Sequence, residues 1–158
     1  MKERSRIFIC LKRRNKILIR DATSSDLPRL FEIEAACQAF PWTETILADC
    51  LRVHYPTWII EQEGIVCAFL IVQPILDECH ILNLAVDPVY QRRGFASALL
   101  AHLFKTIKAE RFLLEVRVSN TAAIELYKKL GFIELSRRKD YYPTAQGRED
   151  AIVLSISF

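Results

Sequence analysis

The run "ILNLAVDPVYQRRGFASALLAHL", residues 81–103, changes its hydrophobic period partway along. Up to Val86 it is β-rich, the end of "CHILNLAV" (79–86), and Pro88 has no N–H to give a ladder, so the strand should stop at Asp87-Pro88. From Phe95 onward, Ala96, Leu99, Leu100, Leu103 and Ile107 recur at helical spacing, which predicts a helix over 95–110. "RFLLEVRV" (111–118) is strand-like again. A strand, helix, strand unit of this kind should place its two strands parallel, with a right-handed crossover.

The flanks extend the same mixed α/β order. Upstream, "ILIRDAT" (17–23) reads as a strand and 24–40 as a helix, with Ser24 or Ser25 as cap and Leu27, Leu30, Phe31, Ile33 and Cys37 inward. A second short helix over 41–51 takes Thr43 as its cap and turns Ile46, Leu47, Cys50 and Leu51 inward. "TWIIEQ" and "IVCAFLIVQ" (57–62 and 65–73), separated by Glu63-Gly64, carry a hairpin signal. Downstream, 119–131 reads as a helix capped by Asn120 and ended by Gly131, and strands over 132–142 and 150–158 close the chain.

With 158 residues, 51% of them hydrophobic, the chain is long enough to bury about 70% of its unfolded surface in one core. No apolar stretch approaches the roughly 20 residues that span a bilayer, and "IFICL" (7–11) is short for a signal peptide, so a cytoplasmic protein with no membrane role is expected. Five dispersed cysteines, with no CxxC pair and no metal-ligand spacing to His54, His80 or His102, suggest reduced thiols and no metal. The formal net charge of +3 conceals an asymmetry: seven basic residues stand against Glu3 within 1–16, while the remainder is mildly acidic. Residues 1–16 are therefore expected to form a basic extension and 17–158 the folded domain. Such an arm suits a weak contact with RNA or the ribosome through phosphate neutralisation, the alternative being a poorly ordered tail.

The turn "QRRGFA" (91–96) stands where a strand passes into a helix. The first amides of a helix lack internal partners and favour negative charge, so a glycine turn there, beside Arg92 and Arg93, suits a phosphate. A plain helix start with solvated arginines accounts for the same residues. A dinucleotide fingerprint needs three glycines where this turn has one, and the Gly-Lys-Ser/Thr of a P-loop is missing.

Three runs together, the one quoted above, "LLEVRVSNTAAIELYKKLGF" (113–132) and "RRKDYYPTAQGREDAIVL" (137–154), resemble the GCN5-related N-acetyltransferase (GNAT) superfamily. With "DLPRLFEIEAACQAFPWTET" (26–45), they resemble in particular its bacterial ribosomal-protein-alanine N-acetyltransferase (RimI-type) branch, over roughly 17–156. The resemblance implies a mixed central sheet of about seven strands with a splayed parallel pair, about four helices, and acetyl-CoA as cosubstrate. Carried over, Leu84, Ala85 and Val86 offer backbone bonds to the pantetheine arm. Arg92, Arg93, Gly94, Phe95, Ala96 and Ser97 cradle the pyrophosphate, Ala96 standing where a glycine is commoner, and Asn120 helps to hold the cosubstrate. The implied acceptor is the N-terminal alanine of a small-subunit ribosomal protein, other N-termini, lysines and small amines being the alternatives within the family. A fold that binds coenzyme A without catalysis is the alternative outside it.

Acyl transfer from a thioester to an amine needs a neutral amine, a polarised carbonyl and a proton for the departing thiolate. Glu115 matches the family's general base and Tyr127 its general acid, with direct attack in a ternary complex. Taken without the resemblance, Glu115 is equally compatible with an outward-facing strand position, and Tyr127 with ordinary helix packing. Trp42, Tyr141 and Tyr142 are candidate walls of the acceptor slot, and Glu44 and Asp140 candidate attractors of a basic peptide.

Overall fold

A computed structural model of the protein describes residues 7–10 and 16–158. Among the described residues, eight strands are present: β1 (Ile7–Cys10), β2 (Lys16–Asp21), β3 (Thr57–Gln62), β4 (Ile65–Ile75), β5 (Glu78–Val86), β6 (Arg111–Arg117), β7 (Ile133–Thr144) and β8 (Gly147–Ser157). Four α-helices join them: α1 (Leu27–Cys37), α2 (Glu44–Arg52), α3 (Phe95–Thr106) and α4 (Thr121–Lys129). The chain folds as two compact units, one from residues up to Val72 with Asn83–Thr106, the other from Gln73–Leu82 with Ile107–Phe158.

In the first unit, β1, β2, β3 and β4 follow one another as antiparallel neighbours. The β3–β4 turn is set by backbone chemistry: Gln62 pairs with Ile65, and both intervening residues, Glu63 (φ 52) and Gly64 (φ 81), are left-handed. Two positive φ values match the right-handed twist of the flanking strands, and glycine adopts the second without strain. Val66 to Val72 of β4 are buried without interruption, as are Thr57 to Ile60 of β3. Continuous burial marks strands covered on both faces, which is why they read as apolar runs instead of alternating. Leu30 and Ile33 of α1, Leu47 of α2 and Leu99, Leu100 and Leu103 of α3 are fully buried.

In the second unit, β6 pairs parallel with β5 over Glu78–Ile81 and Arg111–Leu114. The ladder stops there although β5 runs on to Val86 and β6 to Arg117. On its other side β6 pairs antiparallel with β8 from Arg111↔Ser157 to Arg117↔Ala151, and β8 pairs with β7. Phe112, Leu114 and Val116 of β6 are buried, so Leu113, Glu115 and Arg117 share the opposite face.

The expected elements are present with shifted ends. The first helix begins as a 3₁₀ turn at Ser24–Asp26, whose cap is Thr23 in a capping box with Asp26 and not Ser24 or Ser25, and it ends at Cys37, because Gln38 is extended. The third stops at Thr106, short of 110: the Thr106 hydroxyl donates to the His102 carbonyl at 2.7 Å, and Glu110 N is already bonded to Asp77 O at 2.7 Å beside the β5–β6 ladder. Ile46, expected inward, is 43% exposed: α2 buries Leu47 most deeply, and Ile46 lies about 100° round the helix from it, at the outer margin of the apolar face beyond Cys50. Strand β1 and the first residue of β2, Lys16, lie inside the basic stretch, where no element was expected; residues 1–6 and 11–15, with the RNA contact expected of the arm, fall outside the described residues. No helix among the described residues is long and apolar enough to cross a membrane, and no group of His, Cys, Asp and Glu among them is arranged to hold a metal.

Candidate active site

The first unit carries the turn leading into α3. Asp87 shapes it, accepting from Val89 N at 2.9 Å and pairing with Arg29, whose Nε donates to Val66 O at 3.0 Å. After a 3₁₀ turn at Pro88–Tyr90 the backbone is left-handed at Arg92 (φ 60) and again at Gly94 (φ 84). A non-glycine residue in that region is uncommon and recurs at ligand sites. The first bond of α3 runs from Ala98 N to Gly94 O at 2.9 Å, so the amides of Phe95, Ala96 and Ser97 have no partner within the helix. A Cβ on Gly94 would meet nothing within 4 Å, so the left-handed φ demands the glycine, and the space beside it is open. Arg93 lies over the Tyr90 ring at 5.1 Å and bonds Val89 O at 3.2 Å, while Arg92 is exposed. The arrangement is an open, positively charged helix entrance able to take a phosphate group.

Ala85 is buried, while Leu84 and Val86 are half-buried, and Val86 O accepts from the Cys37 thiol and from Gln91 Nε2, both at 3.1 Å. The loop holding Trp42 is fixed by Glu34, 1% exposed, whose carboxylate accepts from Trp42 N at 3.0 Å and from Asn83 Nδ2 at 2.9 Å. Sequence reading passed over Glu34, yet it occupies the i+4 position from Leu30, on the apolar stripe of α1. Glu34→Ala orphans two part-buried donors and is expected to lower stability by about 2 kcal/mol in urea unfolding. Wild-type stability in that variant would remove Glu34 as the loop's anchor.

The second unit brings together Glu115, Tyr127, Tyr141 and Tyr142. Glu115 is half-buried and ion-paired to Arg138 at 3.1 Å; Tyr141 donates to the same carboxylate, which holds the Tyr141 phenol above its ordinary value. The Arg138 guanidinium lies 5.1 Å from the Tyr141 ring centre. Burial, with Glu115 nearby, pushes the Tyr142 phenol up to about 12. Arg117 lies over the Tyr142 ring at 4.5 Å and bonds Glu149 at 2.9 Å and Pro143 O at 2.8 Å, tying the β7–β8 hairpin to β6. Tyr127, on α4, is buried against Phe132 with ring centres 5.4 Å apart; burial, then the neighbouring Tyr142, raises its phenol well above 10. It stays protonated throughout the neutral range, so in a proton transfer it can serve as the acid and not as the base. Asn120 caps α4, its side chain accepting from Ala123 N at 3.2 Å. Glu44 is exposed in the first turn of α2, and Asp140 gives its backbone N–H to Asp150 at 3.0 Å.

Arg138 escaped sequence reading because β7 is irregular: the register with β8 shifts between Arg138 and Tyr142, around a left-handed Asp140 (φ 49). Extra residues in one strand shift which residues stand opposite one another, and that pairing is not written in the sequence of either strand.

Residues 22–132 match the acetyltransferase (GNAT) family. The chain is 45% identical over 136 residues to the [ribosomal protein bS18]-alanine N-acetyltransferase of Escherichia coli K12, covering 84% of this chain and 92% of that one. It is 32% identical to the putative enzyme of that name from Bacillus subtilis, covering 91% and 97%. The crystal structure of the ribosomal-protein-S18-alanine N-acetyltransferase from Escherichia coli superposes with a TM-score of 0.84 at 43% identity, covering 89% and 93% of the two chains.

Proposed function

The chain belongs to the acetyltransferase (GNAT) family, and from that premise we propose that it transfers acetyl from acetyl-CoA to the α-amine of the N-terminal alanine of a small-subunit ribosomal protein. The observation that carries the reading is the 45% identity, over 84% of this chain, to an enzyme named for that reaction on bS18.

The entrance to α3 fits the donor's pyrophosphate: three amides outside the helix's own bonding, two arginines, and open space at Gly94. Arg92, Arg93, Gly94, Phe95, Ala96 and Ser97 would hold that group, with Leu84, Ala85, Val86 and Asn120 supporting the rest of the molecule. Acetyl-CoA supplies an acetyl group activated as a thioester. An α-amine with a pKa near 7.7 to 8.0 is a modest task for a carboxylate, so Glu115 takes its proton, directly or through a water. The Tyr127 phenol gives a proton to the sulfur as negative charge develops there. The thiols of Cys37, Cys50, Cys67 and Cys79 are all pushed up by burial, Cys79 to about 11, which favours direct attack over an acyl-cysteine. Trp42 and Tyr141 are assigned to the acceptor peptide.

The test is mass spectrometry of an alanine-initiated peptide, matched to the ribosomal substrate, after incubation with protein and acetyl-CoA. One acetyl group on the α-amine is expected. Binding of acetyl-CoA without peptide acetylation would exclude this acceptor and move the search to lysines or small amines.

A further inference from the structure

Glu115 is shared. Arg138 reaches its carboxylate at 3.1 Å while Tyr141 donates to it, and the guanidinium rests on the Tyr141 ring. This is built into the hairpin: the bulge that brings both residues to Glu115 is held by Asp150 on Asp140 N at 3.0 Å, and by Arg148 on the carbonyls of Asp140 and Tyr141 at 2.6 and 2.7 Å. Among the described residues, β7 brings Arg138, Tyr141 and Tyr142 to Glu115; β8 sets Val153 opposite it, and Arg117, on the same face of β6, is paired to Glu149.

A lone carboxylate is an awkward base for an amine, because its charge stabilises the ammonium form, which has no lone pair to attack with. A guanidinium on the far side of the carboxylate cancels part of that field and leaves a proton acceptor in place. We propose that Arg138 is a positioning residue for acetyl transfer: paired with Glu115, it keeps that carboxylate from trapping the acceptor as an unreactive ammonium ion. The proposal rests on the assignment of Glu115 as the base. Arg138 has a side chain 54% exposed, so its charge acts through a partly aqueous path, and its influence on a bound amine is about one pH unit.

Removing the positive charge stabilises the bound ammonium, so its deprotonation moves to higher pH and the acid limb of kcat moves with it. Arg138→Gln is expected to lower kcat about fivefold at pH 7, to approach wild type by pH 9, and to leave KM for the peptide unchanged or lower at pH 7. Arg138→Lys, which keeps the charge, is expected to keep the wild-type profile. A loss in Arg138→Gln equal at every pH, or an Arg138→Lys variant as impaired as Arg138→Gln, would overturn the proposal, since either outcome reports packing instead of charge. The profile is measured on whichever amine the wild-type enzyme turns over. Turnover of another amine but not the alanine peptide therefore counts against the acceptor assigned above, whereas normal turnover with an unmoved acid limb counts against Arg138 alone.

Discussion

Glu115→Gln is expected to lower kcat by about 10³-fold at neutral pH while the affinity for acetyl-CoA stays within about twofold of wild type. The amide keeps the size of the side chain and its acceptor oxygen for Tyr141, but it cannot take a proton. Because the site is half-buried and on the surface side of β6, stability should change by no more than about 0.5 kcal/mol, so a fall in rate is not a fall in folded protein. Raising the pH supplies more neutral amine but no acceptor for the proton lost during attack, so part of the loss should persist at pH 9. The measurement is steady-state kinetics on the alanine peptide with calorimetric titration of acetyl-CoA. A kcat within threefold of wild type would falsify the role of Glu115.

The second large effect is on Tyr127→Phe, where kcat should fall about 10²-fold, at the low end of the range for acid–base groups because a thiolate leaves more readily than an alkoxide. The phenol lies buried against Phe132, and removing its hydroxyl leaves that ring contact in place. Since burial holds the phenol well above 10, the wild-type kcat profile should show no alkaline limb from this group below pH 10. An alkaline limb near pH 8 to 9 that disappears in Tyr127→Phe would show that the phenol is not held protonated as the structure requires. An unchanged kcat would return Tyr127 to a packing role.

These assignments were legible in the sequence to very different degrees. Asn120 and Thr43 are readable because a helix start needs a side-chain acceptor for a free amide, and each supplies one, to Ala123 N and Ile46 N at 3.2 Å. Glu63-Gly64 is readable because a two-residue hairpin needs two positive φ values. Glu115 is not, since Leu113, Leu114 and Val116 flank it and the two faces of a strand differ only in what packs on them. Ile46 misled, one position being enough on a nine-residue helix to carry an apolar side chain from the core to the surface.

Backbone chemistry, propensity and period act over a few residues, and they determined the order of elements, the caps at Thr43 and Asn120, the hairpin at 63–64 and the left-handed glycine entering α3. Which residues meet from distant parts of the chain depends on register, and register is set by the packing of whole strands. Only the tertiary structure therefore decided that β6 shows Glu115 away from Phe112, Leu114 and Val116, and that Glu34 is a buried staple on Trp42 and Asn83. It also decided the bulge at Asp140, through which β7 delivers Arg138 and Tyr141 to one carboxylate: β7 carries two more residues than β8 between the pairs Arg138–Ala151 and Tyr142–Glu149, and their position is set by Arg148 and Asp150 on the partner strand.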